Sequence, residues 1–373
     1  MRILMTGGGT GGGVYPGLSV AQELLGQARW ATSHDDIAWV GCVNSIEQEI
    51  MQRSGIRFYA VTSGALRGAN LLKAASSIHR TLQGRRQALA IIHQFKPQVV
   101  LATGGYVSVP LALAARWLRV PVLILLPDIE PGMAIRYLSY IARRVTVSFP
   151  EVARFFSEGK AVVTGYPVRP ELFQMSRTEA RNALELQPDG RVLLILGGSR
   201  GARSINNATR AMLAQVLPLA EVIHICGKED YPLLQEHRHT LPRTEQARYH
   251  LYPYLHAQMT AALVAADLVV ARAGAATLAE FPAVGLPAVL VPYPFAGRHQ
   301  QINADFLAVR GAGIILADAA LATDLAPSVC ALLEDAERLR AMSQAAQMLA
   351  MPKAAQAIAG ELQGLAQGVQ GGH

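Results

Sequence analysis

The sequence predicts an α/β protein with two Rossmann-like halves, each a doubly wound parallel sheet flanked by helices. Short apolar runs alternate with longer segments of helical period, which is the pattern of repeated strand-helix-strand units. The opening RILMTGGGTGG, residues 2–12, recurs at a constant offset as RVLLILGGSRG, residues 191–201. Each copy is an apolar strand that runs into a glycine turn, so the duplication predicts two nucleotide-binding units.

The composition suits two globular cores. The chain has 373 residues, of which 51% are hydrophobic, and this is enough for two domains of ordinary size. A membrane-spanning helix needs about 18 to 20 apolar residues, whereas the strongest apolar run, residues 120–126, contains Pro121 and stops at Pro127. Residues 1–5 lead straight into glycines and leave no room for a signal-peptide core. We therefore expect a cytoplasmic protein.

Neither cysteines nor carboxylates have the spacing of a metal site. Cys42, Cys226 and Cys330 are scattered along the chain, so buried free thiols are expected. Asp35 and Asp36 are adjacent and do not form the D-x-D pair that holds a metal on a diphosphate. The sequence thus predicts no metal and no cofactor.

Positive charge is concentrated in the first half of the chain. Residues 1–160 contain 17 Lys and Arg against 9 Asp and Glu, and residues 50–127 contain ten Lys and Arg and no carboxylate. Such a surface suits nucleic acid or an anionic membrane. Because the chain lacks the interleaved aromatics and any recognisable module of nucleic-acid binding proteins, the membrane surface is the expected partner.

The strongest local signal lies between residues 267 and 304. An apolar strand, residues 268–271, breaks at Gly274 and is followed by a helix with Thr277 at its head. The free N–H groups and the dipole of such a helix start bind anions, so a diphosphate fits there without a lysine. Thr277 and Glu280 also have the spacing of a plain capping box, which is the alternative without a ligand. After the next apolar run, a polar cluster follows at the carboxyl end of a strand: Arg298, His299, Gln300, Gln301 and Asn303.

Three further motifs contain glycine or proline at positions typical of turns. Residues 7–13 are GGGTGGG, which marks either a phosphate site or only a tight turn before a helix. Gly104, Gly105 and Tyr106 form a second glycine turn, after which Ser108 is expected to cap a helix. Residues 165–170, GYPVRP, predict a hinge into a second domain.

Together these motifs resemble the MurG family of peptidoglycan glycosyltransferases over nearly the whole chain. The matching strings are R-x-G-A-x-T-x-x-E at 272–280, G-L-P-A at 285–288, V-P-Y at 291–293 and G-G-Y-V-S at 104–108. The resemblance implies the GT-B glycosyltransferase fold. It assigns residues 1–166 with 353–373 to an acceptor- and membrane-facing domain, assigns residues 167–352 to a UDP-sugar domain, and implies a cleft between them.

The resemblance also implies the residues of the site. Glu280 is expected on the ribose diol, the backbone of Leu255 on the uracil and Gln300 on the transferred sugar. Arg169 is expected to face the leaving diphosphate, the alternative being a plain surface charge. The other contacts implied for the UDP-sugar are Thr10, Gly11, Gly12, Asp128, Ser199, Ala275, Ala276, Thr277, Leu278, Ala279 and Asn303. The residues implied for the acceptor diphosphate are Gly104, Gly105, Tyr106 and Ser108.

The chain departs from the family pattern at two places. Gly13 stands where the family loop G-G-T-G-G-H has its histidine, and residues 125–128, LLPD, replace H-E-Q-N. The attacking hydroxyl must lose a proton that Gly13 cannot accept, so Asp128 is the candidate general base, and the adjoining leucines are expected to raise its pKa. Two alternatives stay open: Asp128 caps the turn after Pro127, or the reaction needs no base. His299 occupies a glutamine position of the family and is either a ligand contact or a solvated loop residue.

The implied function is metal-independent, inverting transfer of N-acetylglucosamine from UDP-N-acetylglucosamine to the muramyl sugar of lipid I, the undecaprenyl-linked muramoylpentapeptide. The product would be lipid II of peptidoglycan synthesis. The expected partners are these two substrates and the anionic inner membrane surface, without nucleic acid. The expected location is peripheral, on the cytoplasmic face of the cell membrane. The alternatives are another GT-B transferase acting on a lipid or glycan, and a UDP-sugar-binding relative without turnover.

Overall fold

Every strand pairs in parallel with its neighbours, in two separate sheets. The computed structural model describes residues 1–8, 11–64, 71–198, 201–256, 258–295 and 298–370, without the side chains of residues 11, 71–79 and 369–370. Two expected site residues, Thr10 and Ser199, lie outside the described residues. In the described part of the chain, no helix is both long and apolar enough to cross a lipid bilayer.

The strands and helices alternate along the chain. The strands are β1 Ile3–Thr6, β2 Ile37–Gly41, β3 Arg57–Ala60, β4 Val99–Ala102, β5 Val122–Leu126, β6 Arg144–Val147, β7 Ala161–Val163, β8 Arg191–Leu196, β9 Ala220–Ile225, β10 Tyr249–Tyr252, β11 Leu268–Ala271, β12 Ala288–Leu290 and β13 Gly313–Ile315. The helices are α1 Gly11–Gly26, α2 Ile46–Arg53, α3 Leu71–Phe95, α4 Ser108–Trp117, α5 Met133–Ile141, α6 Glu171–Gln174, α7 Arg177–Ala183, α8 Arg203–Val216, α9 Tyr231–Thr240, α10 Arg243–Gln246, α11 Met259–Ala265, α12 Thr277–Val284, α13 His299–Val309, α14 Leu321–Glu334, α15 Ala336–Gln347 and α16 Ala354–Gln370.

The strand orders are those of Rossmann-type sheets. The first sheet has the order β3-β2-β1-β4-β5-β6-β7 and the second has the order β10-β9-β8-β11-β12-β13. The order reverses between β1 and β4 in the first sheet and between β8 and β11 in the second, and ligands bind beyond the carboxyl ends of strands at such a reversal. The predicted fold class, α/β with two Rossmann-like sheets, is confirmed.

The chain divides into two compact units, residues 1–168 with 353–373 and residues 169–352. In the first unit, α16 packs against α1, and Ile358, Ala359 and Leu362 of α16 are fully buried in the core. The second unit has its own core, in which α8 and α14 pack together on one face of the sheet. Strands covered on both faces explain the continuous apolar runs in the sequence.

Two details of the sequence interpretation are wrong. Ser108 is the first residue of α4 and its hydroxyl donates to the carbonyl of Gly104 at 2.6 Å, so it does not cap the helix. Only Cys226 of the three free cysteines is buried, while Cys42 and Cys330 are partly exposed.

Candidate functional site

The turn between β11 and α12, residues 273–277, presents unpaired backbone N–H groups at the carboxyl edge of the second sheet. The N–H groups of Thr277, Leu278 and Ala279 already donate to carbonyls three residues earlier, at 3.1 Å each. No described residue accepts a hydrogen bond from the N–H groups of Gly274, Ala275 and Ala276. No described atom lies within 4 Å of a Cβ built on Gly274. An anion can therefore bind to the N–H groups of Gly274, Ala275 and Ala276, which directly precede the first residue of α12.

Side chains from three other elements fix this turn. Asn303 is 1% exposed, and its amide donates to the carbonyl of Ala273 at 3.2 Å. Arg272 forms an ion pair with Asp318 at 2.6 Å and donates to the hydroxyl of Ser204 at 2.8 Å. The expected ligand residue Asn303 thus supports the turn from behind. The role of Arg272 was missed, although it opens the quoted R-x-G-A string.

The capping box at the head of α12 is not formed. The hydroxyl of Thr277 donates to the carbonyl of Gly274 at 2.7 Å. Glu280 instead lies beside Arg169, with 3.4 Å between Oε1 and Nη2, and about a fifth of each side chain is exposed. Burial raises the pKa of Glu280, and the neighbouring guanidinium of Arg169 opposes that rise. A carboxylate held in this way is oriented by a cation rather than used to close a helix end.

The segment after β12, which is a neighbour of β11 in the sheet, adds polar side chains. Gln300, in the first turn of α13, accepts a hydrogen bond from the N–H of Tyr293 at 2.9 Å, which leaves its own NH₂ group for another acceptor. Nδ1 of His299 is shielded from solvent and has no hydrogen-bond partner among the described residues. The solvated-loop interpretation of His299 therefore fails for this nitrogen.

Leu255 follows β10 with its side chain 5% exposed. No described residue bonds to its backbone N–H or carbonyl. Leu278 is fully buried, so only its backbone can face a ligand. Near the carboxyl end of β8, Gly198 and Gly201 have φ values of 87° and 78°, which glycine adopts without strain.

In the first unit, the glycine loops after β1 and β4 lie against each other. A Cβ on Gly105, whose φ is 79°, would lie 2.7 Å from the carbonyl oxygen of Gly8. The hydroxyl of Thr103 donates to the carbonyl of Gly13, and Tyr166 donates to the carbonyl of Gly12 at 3.5 Å. The N–H groups of Ser108 and Val109 are used within the β4 turn, at 3.2 Å each. No described residue accepts a hydrogen bond from the N–H groups of Gly104, Gly105, Tyr106 and Val107, so these amides can meet an anion there.

A buried carboxylate lies beneath the first of these loops. Glu47 is 2% exposed, and its Oε1 would lie 2.5 Å from a Cβ on Gly8. This oxygen accepts a hydrogen bond from the N–H of Cys42 at 3.4 Å, and Oε2 has no partner among the described residues. Glu47 was not among the predicted site residues; with Glu49 it is one of the last two carboxylates before the acid-free residues 50–127.

The chain departs from the family pattern at Gly13, in the first turn of α1, and at residues 125–128, at the end of β5. Among the described atoms, those of Gly8 are the nearest to a Cβ built on Gly13, at 3.7 Å, which is an ordinary contact distance, so a Cβ fits there. Leu125 and Leu126 are buried in β5, whereas Asp128 is partly exposed just beyond its carboxyl end. The pKa and the role of Asp128 stay predictions.

Comparisons with known proteins match both units. Residues 3–147 match the glycosyltransferase family 28 N-terminal domain, and residues 192–358 match the family 28 C-terminal domain. A UDP-N-acetylglucosamine--N-acetylmuramyl-(pentapeptide) pyrophosphoryl-undecaprenol N-acetylglucosamine transferase from Roseiflexus sp. is 40% identical, with 96% of this chain and 94% of the relative covered. The same-named protein of Moorella thermoacetica is 38% identical, with 96% and 97% covered.

Solved structures agree with the sequence relatives. The crystal structure of Acinetobacter baumannii MurG superposes with a TM-score of 0.74 at 28% identity, covering 97% of this chain and 99% of that one. A UDP-GlcNAc 2-epimerase from Neisseria meningitidis, at 14% identity and a TM-score of 0.69, shares the fold alone. With both family 28 domains present and relatives of this identity over nearly the full length, the chain belongs to the MurG family of glycosyltransferases.

Proposed function

We propose that this protein transfers N-acetylglucosamine from UDP-N-acetylglucosamine to the muramyl sugar of lipid I, forming lipid II. The names of its relatives support this reaction. The observation that carries the donor half is the pairing of Glu280 with Arg169 at 3.4 Å, one helical turn beyond the free N–H groups of Ala275 and Ala276. A carboxylate and an anion-binding turn at this spacing suit a ribose diol and a diphosphate.

The donor is held in parts by the second unit. Glu280 accepts hydrogen bonds from the ribose hydroxyls, and the amides of Ala275 and Ala276 bind the diphosphate. Gln300 contacts the transferred sugar with its free NH₂ group, and the backbone of Leu255 contacts the uracil. Donors that are already in place when negative charge grows on the departing UDP stabilise the transition state without reorganisation.

The acceptor is held by the first unit, its diphosphate against the amides of Gly105 and Tyr106. Its sugar hydroxyl attacks the anomeric carbon in line, the carbon to UDP oxygen bond breaks, and the configuration inverts. The hydroxyl proton passes to the carboxylate of Asp128, which completes the balance of the step.

The direct test is transfer of radiolabelled N-acetylglucosamine from the UDP-sugar to a short-chain lipid I analogue. Labelled disaccharide product supports the proposal. UDP binding without any transfer would instead support a UDP-sugar-binding relative without turnover, the alternative to which Gly13 gives some weight. Transfer to other lipid-linked sugars but not to lipid I would support a different acceptor.

Replacing Glu280 tests the donor site. Charge-assisted hydrogen bonds contribute about 1.5 to 3 kcal/mol, so Glu280→Ala should weaken UDP binding by about 10- to 150-fold in calorimetric titration. Glu280→Gln should lose less because the amide oxygen still accepts a hydrogen bond. Glu337→Ala, an exposed glutamate of α15, is the matched control. Unchanged affinity in Glu280→Ala would remove this residue from the site.

The proton acceptor is tested by two linked substitutions. A positioned base contributes about 10² to 10⁴ in rate, so Asp128→Asn should lose near 10² in turnover while UDP affinity stays intact. A Cβ at residue 13 meets the described atoms at ordinary contact distance, and histidine can accept a proton. Adding Gly13→His should therefore recover part of that loss, whereas Gly13→Ala should not. Wild-type turnover in Asp128→Asn would exclude Asp128 as the base.

The first unit also carries a surface suited to a membrane. Met133, Tyr137 and Tyr140 are 69%, 52% and 85% exposed, and their spacing places them on one face of α5. Trp117, at the end of α4, is 70% exposed with the guanidinium of Arg85 5.0 Å from its ring centre. We call these four side chains the α4–α5 patch. Trp117 lies within the acid-free residues 50–127, and α4 packs against α5. The patch therefore adjoins that basic stretch and is proposed to contact anionic lipid.

Removing two rings should weaken that contact. Full burial of a large apolar side chain contributes about 1.5 to 3 kcal/mol, so the double variant Trp117→Ser/Tyr140→Ser should lower the vesicle partition coefficient by at least about tenfold. The measurement is sedimentation with phosphatidylglycerol vesicles at low salt. Phe295→Ser removes an aromatic that is 83% exposed on the other unit and should bind vesicles like wild type. Equal binding by all three proteins would contradict the assignment.

A further inference from the structure

A cavity of about 430 Å³ opens at the amino-terminal edge of the second sheet. Its walls come from the start of β8, from the residues that precede β11 and β12, and from α15. This edge is opposite the one that carries the turn at residues 273–277, because all strands of the sheet are parallel. The cavity is therefore independent of the proposed donor site.

The charge of the lining is unbalanced. Three arginines, Arg177, Arg191 and Arg340, face one carboxylate, that of Asp267, and the remaining lining residues are neutral. Three positive charges against one negative charge leave an excess of two. The lining also supplies neutral hydrogen-bonding groups from α15, namely Ser343, Gln344 and Gln347.

The carboxylate of Asp267 cannot accept further hydrogen bonds from the arginines. Its Oδ1 contacts Arg177 at 2.6 Å and Arg191 at 3.3 Å. Its Oδ2 contacts Arg181, which lies behind the cavity, at 3.3 Å and accepts from the N–H of Val192 at 2.8 Å. A carboxylate has about four acceptor positions, and all four are engaged here.

The arginines retain donors that this carboxylate does not use. A guanidinium carries five N–H groups, whereas the described contacts of Arg191 end at one oxygen of Asp267. Arg340 also lines the cavity, and none of the ion pairs among the described residues includes it. The positive charge also affects Arg181, which lies behind the cavity. Burial lowers the pKa of Arg181, and the charge of Arg177 lowers it further.

We propose that this cavity binds a phosphate group, with Arg191 and Arg340 as its main ligands and the side chains of α15 as secondary donors. A phosphate dianion matches the excess of two positive charges, and the planar fork of arginine fits its oxygens. The volume leaves space for a substituent on the phosphate. Free phosphate and the phosphodiester of a lipid headgroup share the oxygens that arginine binds, although the diester carries one negative charge.

The test is calorimetric titration of inorganic phosphate into the full chain in a chloride buffer of low ionic strength. Arg340→Gln and Arg191→Gln should each weaken phosphate binding by about fivefold or more, the effect of losing one half-exposed charge contact. Arg243→Gln, an exposed arginine of α10 in the same unit, is the control of equal charge and should bind like wild type. Because Arg340 is exposed, its replacement leaves the fold intact, which thermal unfolding verifies.

Vesicles of phosphatidylglycerol distinguish the two sources of phosphate. Loss of phosphate binding with unchanged vesicle binding in Arg340→Gln assigns a soluble phosphate, and loss of both assigns a lipid headgroup. The proposal is overturned if wild type does not bind phosphate, or if binding is insensitive to both arginine substitutions. The latter result would place the anion elsewhere, such as at the turn of residues 273–277. These outcomes do not depend on glycosyl transfer, so the two proposals fail separately.

Discussion

The parallel pairing of all strands is the constraint on which the rest of the molecule depends. Because parallel strands end at the same edge, the loops after β1 and β4 meet in one unit, as do those after β8 and β11 in the other. Their contact in the first unit requires glycine, because a Cβ on Gly105 would lie 2.7 Å from the carbonyl oxygen of Gly8. The glycine motifs are thus a consequence of packing before they are a means of binding phosphate.

Regular structure was largely predictable because it depends on local pattern and on burial. The strand expected at 268–271 has those bounds in the structure, and the helix after it begins at Thr277 as expected. The duplicated glycine turn was enough to predict two sheets. Buried strands of parallel sheets read as continuous apolar runs, and this sequence has them at every central strand.

The site was less predictable because its key contacts join distant residues. Arg169 and Glu280 are 111 positions apart. The local spacing of Thr277 and Glu280 indicated a capping box, and no local rule could show that Glu280 has a distant partner. Ser108 was misassigned for a different reason: its partner is local, since its hydroxyl donates to the carbonyl of Gly104 in the preceding turn and not to a helix N–H group. Arg272, Asn303 and Glu47 hold loops in place from behind, and such roles follow from burial rather than from motif spacing.

In the proposed function an ionised Glu280 holds the ribose, and UDP affinity as a function of pH tests this role most directly. The pKa of Glu280 is raised by burial and held down by Arg169. Affinity should therefore fall as the pH drops through that pKa, by up to about tenfold per pH unit. In Arg169→Gln the fall should begin at higher pH, because the opposing cation is gone. Glu280→Gln reports the titration of UDP itself. An affinity profile that is the same in wild type, Arg169→Gln and Glu280→Gln would contradict the account.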